Sequence, residues 1–219
     1  MSQAIQDGVS LRKVYETLHE YFGDLQWWPG DSPFEVIVGA ILTQNTAWKN
    51  VETAIGRLKA GDLLHPARLR HLADQHLADL IRPAGYFRVK TKRLKAFLQF
   101  LYQEYQDDLN ALFTEDLWIS RKRLLSVHGI GEETADSILL YAGGKPVFVV
   151  DAYTRRMMQR HRFISGKARY ADVQTLFMTS LPRSAPLFNQ YHALLVNTGK
   201  QFCRKHNPKC EICPLQSFL

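Results

Sequence analysis

His128-Gly129-Ile130-Gly131 joins two apolar-periodic stretches, Leu117 to Val127 and Ala135 to Ala142, so two helices meet across a four-residue turn. Glycine at both corners allows positive φ and close approach of backbone to a ligand, while Ile130 between them is placed to enter the core. The first amides of the second helix have no intrahelical partner. With the helix dipole they form an anion site that suits a phosphate, although an isolated G-x-G is more commonly the turn of a plain αα-hairpin. Asp151 stands twenty positions after Gly131 and closes the apolar run "PVFVV". It is a good N-cap for a helix starting near Ala152. The three cysteines, Cys203, Cys210 and Cys213, are spaced C-x6-C-x2-C, a poor disulfide framework and a better one for metal in a reducing compartment.

Something must hold these residues in place, and helical periodicity dominates the chain. Leu11, Val14, Tyr15, Leu18 and Phe22 make one stripe, and Ile37, Ala40 and Ile41 make another behind the Ser32-Pro33 start signal. Further stripes at Val51 to Leu58, Leu94 to Leu101 and Leu187 to Leu195 bring the expectation to about ten helices and a nearly all-α fold. "PVFVV" reads as an extended connector, since no other segment could pair with it as a strand. The 219 residues and 46% hydrophobic content are those of a folded globular chain. A net charge of +7 favours a polyanionic partner. "MSQAIQDGVSLRKV" lacks the apolar core of a secretory leader and no apolar run reaches membrane-spanning length, so a cytoplasmic protein without membrane association is expected.

Val127-His128-Gly129-Ile130-Gly131 with Thr134-Ala135 and the downstream Asp151 resembles the helix-hairpin-helix of the HhH-GPD DNA glycosylase superfamily. That superfamily includes endonuclease III, the adenine glycosylase and the alkylpurine glycosylases. "AILTQNT" at 40–46, "LIRPAGYFRVKTKRL" at 80–94 and the cysteine tail extend the likeness from about residue 25 to the C-terminus. The resemblance implies an all-α, two-domain fold. A helical-barrel domain (30–134) ending in the hairpin is inserted between an N-terminal helix and a C-terminal helical domain (1–29 plus 135–219) with a cysteine loop, and the damaged base lies in the cleft between them.

The resemblance also assigns roles. Asp151 is the expected catalytic residue. Bifunctional members carry, two residues after the second hairpin glycine, a lysine that attacks the sugar; Glu133 stands there and cannot form an imine, which implies a monofunctional enzyme that uses water. Gln44 matches the side chain inserted into the vacated base stack, with Trp48 one turn further along the same helix. Trp27 and Trp28 before Pro29 resemble the branch that excises alkylated purines, where aromatics stack on cationic bases, and Lys200 is a further pocket candidate. Gly129, Gly131, Arg88, Lys90 and Lys92 are the expected contacts to double-stranded DNA containing a damaged base. The cysteines match three ligands of the family's 4Fe-4S loop, but the fourth position is Leu219. The missing ligand leaves three alternatives: a labile cluster, one completed by a non-cysteine group such as His206 or the terminal carboxylate, or an empty relic held by packing. The reading closest in pattern is a monomeric, monofunctional 3-methyladenine DNA glycosylase of base excision repair. An endonuclease III-like enzyme for oxidised pyrimidines or mismatched bases, and a non-catalytic DNA-binding module, are the alternatives.

Overall fold

The computed structural model describes residues 10–25 and 27–219, so of the stretch read for a leader, residues 1–14, the first nine fall outside it. Among the described residues there are twelve α-helices, short 3-10 turns, one π-helical segment and no strand. None of the helices is long and apolar enough to cross a membrane. Contacts divide the chain into two units, Pro29–Lys145 and Met1–Trp28 with Pro146–Leu219. The break falls eleven residues beyond Thr134, because the helix after the hairpin stays packed on its own side of the division.

The first unit holds α2 (Pro33–Leu42), α3 (Trp48–Ala60), α4 (Pro66–His71), α5 (Asp74–Leu80), α6 (Phe87–Tyr105), α7 (Leu109–Thr114), α8 (Leu117–Leu125) and α9 (Glu132–Ser137), which runs on as a π-helical segment, Ile138–Ala142. Ser32 starts α2 by accepting from the Glu35 amide at 3.2 Å, with Pro33 in the first turn where its missing N–H costs nothing. Every residue from Phe34 to Leu42 is buried, so α2 is the unit's central helix; each fully buried Ile or Leu in it contributes about 1.5–3 kcal/mol. The apolar face of α6 packs on α2, α4 and α5.

Two expectations fail here. Lys90 is 1% exposed, its ammonium donating to the carbonyls of Leu42 and Ala84 at 2.7 Å each. It ties α6 to the end of α2, and burial, helped by the Arg93 charge, lowers it to about 8. A lysine so placed cannot reach a phosphate. Gln44 and Trp48 do not share a helix either: α2 ends at Leu42, Asn45 takes φ 53°, and Trp48 opens α3. The polar run Thr43-Gln44-Asn45-Thr46 supplies local side-chain hydrogen-bonding that competes with a continued helix.

The second unit holds α1 (Leu11–Phe22), α10 (Ala152–Arg160), α11 (Tyr170–Ser180) and α12 (Ala185–Gln201), with α12 packed on both α1 and α10. Residues 146–150 are the extended connector expected, and Val147, Phe148, Val149 and Val150 are at most 1% exposed. Without a neighbouring strand, its backbone groups find side chains from α11: Gln174 donates to the Phe148 carbonyl at 2.7 Å, and the Val150 amide donates to the Tyr170 hydroxyl at 3.2 Å.

Candidate active site

The hairpin lies in the first unit. Gly129 has φ 85°, and a Cβ there would collide with the Arg93 side chain, so glycine is required for conformation and for space. Ile130 is 5% exposed and enters the core as expected. Gly131 differs from expectation. It is extended, with φ −95° and ψ −179°, and has open space where a side chain would stand. Its part is that of an N-cap without a side chain, which leaves the first amides of α9 without a side-chain cap.

Gln44 bridges this turn to the rest of the unit. Its amide nitrogen donates to the Gly129 carbonyl at 3.1 Å and to the Thr134 hydroxyl at 2.8 Å, while its oxygen accepts from Arg93. The turn is thereby fixed to the end of α2 and to α6. Beneath it, Arg121 binds Asp136 through two nitrogens, at 2.7 and 3.1 Å, and reaches Glu132 at 3.5 Å. Glu132 and Glu133 are both exposed, and Glu132 is drawn toward that guanidinium.

Of the basic run on α6, Arg88 and Lys92 face solvent. Lys95 instead donates to the carbonyls of Leu69 and Arg70 at the end of α4. Trp48 is half-buried, with its indole N–H on Glu52 at 2.6 Å. The sequence reading missed Tyr86. It is 74% exposed at φ 44° between Gly85 and α6, and Thr46 of the Gln44 turn binds the neighbouring Ala84 carbonyl at 2.7 Å. Its signal was an aromatic directly after a turn glycine.

Asp151 lies in the second unit and caps α10: Oδ1 accepts from the Thr154 amide at 2.7 Å. The residue is 9% exposed. Oδ2 faces Nε2 of His192 on α12 at 3.7 Å, a partner that the sequence reading did not single out. Trp27 and Trp28, half-buried, pack edge to face with centroids 6.0 Å apart. Lys200, exposed on the last turn of α12, places its ammonium 5.5 Å from the Trp27 ring centroid.

Cys203, Cys210 and Cys213 line one cavity with Met157, Phe202, Leu215 and Leu219. Among the described residues no group of three or more His, Cys, Asp or Glu is arranged to hold a metal. Three thiols with a leucine at the fourth position do not match a four-thiolate cluster. Arginines hold the loop: Arg156 donates to the Cys203 carbonyl at 2.7 Å, and Arg160 to the carbonyls of Arg204 and Lys205 at 2.7 and 3.2 Å and to the Cys203 sulfur at 3.2 Å. Burial raises the Cys213 thiol above its ordinary value, which favours the protonated form.

The family model of HhH-GPD superfamily base excision DNA repair proteins matches residues 38–183. A Methanocaldococcus jannaschii protein named as a DNA repair glycosylase is 46% identical over 209 residues, covering 95% of this chain and 94% of that one. Among solved structures, a Helicobacter pylori 3-methyladenine DNA glycosylase bound to 1,N6-ethenoadenine is similar with TM-score 0.74 and 26% identity, covering 88% of this chain and 98% of that one. An endonuclease III in a non-covalent DNA complex shares the fold with TM-score 0.83 at 21% identity, covering 100% of this chain and 95% of that one.

Proposed function

The chain belongs to the HhH-GPD superfamily of base excision DNA repair proteins, and from that premise we propose that it is a monofunctional DNA N-glycosylase that hydrolyses the bond to a flipped alkylated purine such as 3-methyladenine. The observation that carries this reading is Asp151, whose Oδ1 is spent on the α10 cap while Oδ2 remains for chemistry. As the glycosidic bond breaks, its electron pair leaves with the base and positive charge grows on the sugar. The carboxylate stabilises that charge, water adds at the anomeric carbon, and the water proton passes to Oδ2 or to the departing base. An abasic site remains. Glu133 at the lyase position has no amine with which to form an imine, which supports hydrolysis by water.

Binding follows from the first unit. The uncapped amides of α9 suit a phosphate, and Arg88 and Lys92 add sequence-independent attraction. Gln44 can enter the base stack only by giving up Gly129 and Thr134. Tyr86, already exposed on an adjoining turn, is the better-placed wedge. The cysteine loop is read as a packed structural element held by Arg156 and Arg160, with no step of the reaction assigned to iron.

Substrate choice is supported by Trp27, which already presents its face to an ammonium group, and by the likeness to the Helicobacter pylori enzyme. A cationic methylated base gains on indole about 1–2 kcal/mol over a neutral one, roughly tenfold in binding, and its charge also weakens the glycosidic bond. Single-turnover excision from duplexes each carrying one lesion is therefore expected to rank 3-methyladenine at least about tenfold above oxidised pyrimidines, and Tyr86→Ala is expected to slow it more than Gln44→Ala. Excision of oxidised pyrimidines alone would replace this substrate with an endonuclease III-like one. No excision of any lesion by folded protein would leave a DNA-binding module.

A further inference from the structure

His192 faces the one oxygen of Asp151 that the proposed reaction uses, yet the reaction as written gives it no part. It is 4% exposed on α12, and the packing of α12 against α10 brings Nε2 to 3.7 Å from Oδ2. Its ring also meets Phe148 edge-on, at 80° with centroids 6.4 Å apart. Phe148 belongs to the connector that ends in Asp151, and Gln174 holds its carbonyl at 2.7 Å. The imidazole is thus set between the connector and the helix that Asp151 caps. Burial holds it below the ordinary imidazole value, against the opposing pull of the Asp151 charge. The ring is accordingly neutral at neutral pH. A neutral ring can donate an N–H without cancelling the carboxylate charge, whereas an imidazolium would oppose the charge that the cationic sugar requires.

We infer that His192 is a positioning residue for Asp151: with its proton on Nε2, it orients Oδ2 toward the sugar and closes from 3.7 Å to hydrogen-bond distance when a damaged nucleotide fills the site. At the observed separation there is no direct hydrogen bond, and tightening of this kind is common when a substrate completes a site. The inference rests on the catalytic reading of Asp151. It adds that Oδ2 needs an uncharged donor to hold it, and that α12 supplies one.

The test compares His192→Gln with His192→Met, side chains of equal length that differ in carrying an N–H donor, alone and on Asp151→Asn. Single-turnover excision from a 3-methyladenine duplex, affinity for a duplex with an abasic-site analogue, and thermal midpoint are read together. His192→Met is expected to slow excision about 10- to 100-fold, the size of effect of removing groups that orient a functional side chain, with affinity within about twofold. His192→Gln is expected to recover most of the loss. On Asp151→Asn, His192→Met is expected to change the residual rate by less than about twofold, since the two act as one unit. Equal rates for Gln and Met, or a full further loss on Asp151→Asn, would overturn the inference. If methionine prevents folding, His192→Phe takes its place with the same expectations. Wild-type turnover in Asp151→Asn would sink the reading of Asp151 itself, while an impaired Asp151→Asn beside a fully active His192→Met would sink only the role of His192.

Discussion

Asp151→Asn is expected to lower single-turnover excision on the order of 10³-fold while leaving affinity for lesion DNA within about twofold. Asparagine keeps an oxygen for the Thr154 amide and caps a helix about as well as aspartate, so the thermal midpoint should barely move. Asp151→Ala removes the cap as well and should cost about 1 kcal/mol more of stability. The pair of variants separates the proposed part of the carboxylate charge in the rate from the part of the cap in stability. An Asn variant that turns over like wild type, measured by base release under enzyme excess, would reduce Asp151 to its capping role.

The second large effect is on stability. Asp136 is fully buried on α9 and is held by two nitrogens of Arg121, so Arg121→Ala strands a carboxylate in the core beneath the hairpin. The expected loss is about 3–5 kcal/mol, the usual size when one partner of a buried pair is removed. For a chain of this size each kcal/mol lowers the midpoint by about 2–4 °C, so a fall on the order of 10 °C should appear in thermal unfolding followed by circular dichroism. Replacing both partners, as Arg121→Met with Asp136→Leu, removes both buried charges and should regain most of it. A midpoint unchanged in Arg121→Ala would mean that the pair does not support the hairpin.

Much of this arrangement is legible in the sequence where a local rule decides it. Asp151 caps α10 and Ser32-Pro33 opens α2 because capping and proline placement are short-range, and Ile130 enters the core because the turn leaves it nowhere else to go. The connector was recognised as extended from its isolation, but the side chains of Tyr170 and Gln174 that satisfy it come from α11, about twenty residues or more away, and no local pattern announces them.

Lys90 shows the opposite failure. Charge type suggested a phosphate contact, yet Lys90 recurs with Leu94, Phe97 and Leu101 on the buried stripe of α6, and periodicity outweighs charge when two backbone carbonyls are there to receive the ammonium. His192 could have been suspected in the same way, since it follows Phe188 by four and precedes Leu195 by three on the buried side of α12. Its approach to Asp151 depends on how α10 and α12 pack, which spacing along one helix does not encode.

Glu133 and Asp151 together carry the central claim, that a base is removed by water without covalent attachment of the enzyme to DNA. The most direct measurement incubates excess protein with a duplex holding one 3-methyladenine, then follows free base, strand integrity before and after alkali, and capture by borohydride in one reaction. The account predicts stoichiometric free base, an intact strand until alkali is added, and no borohydride-trapped protein–DNA adduct. Strand breakage without alkali together with a trapped adduct would show that an amine of this protein attacks the sugar, and would contradict the account.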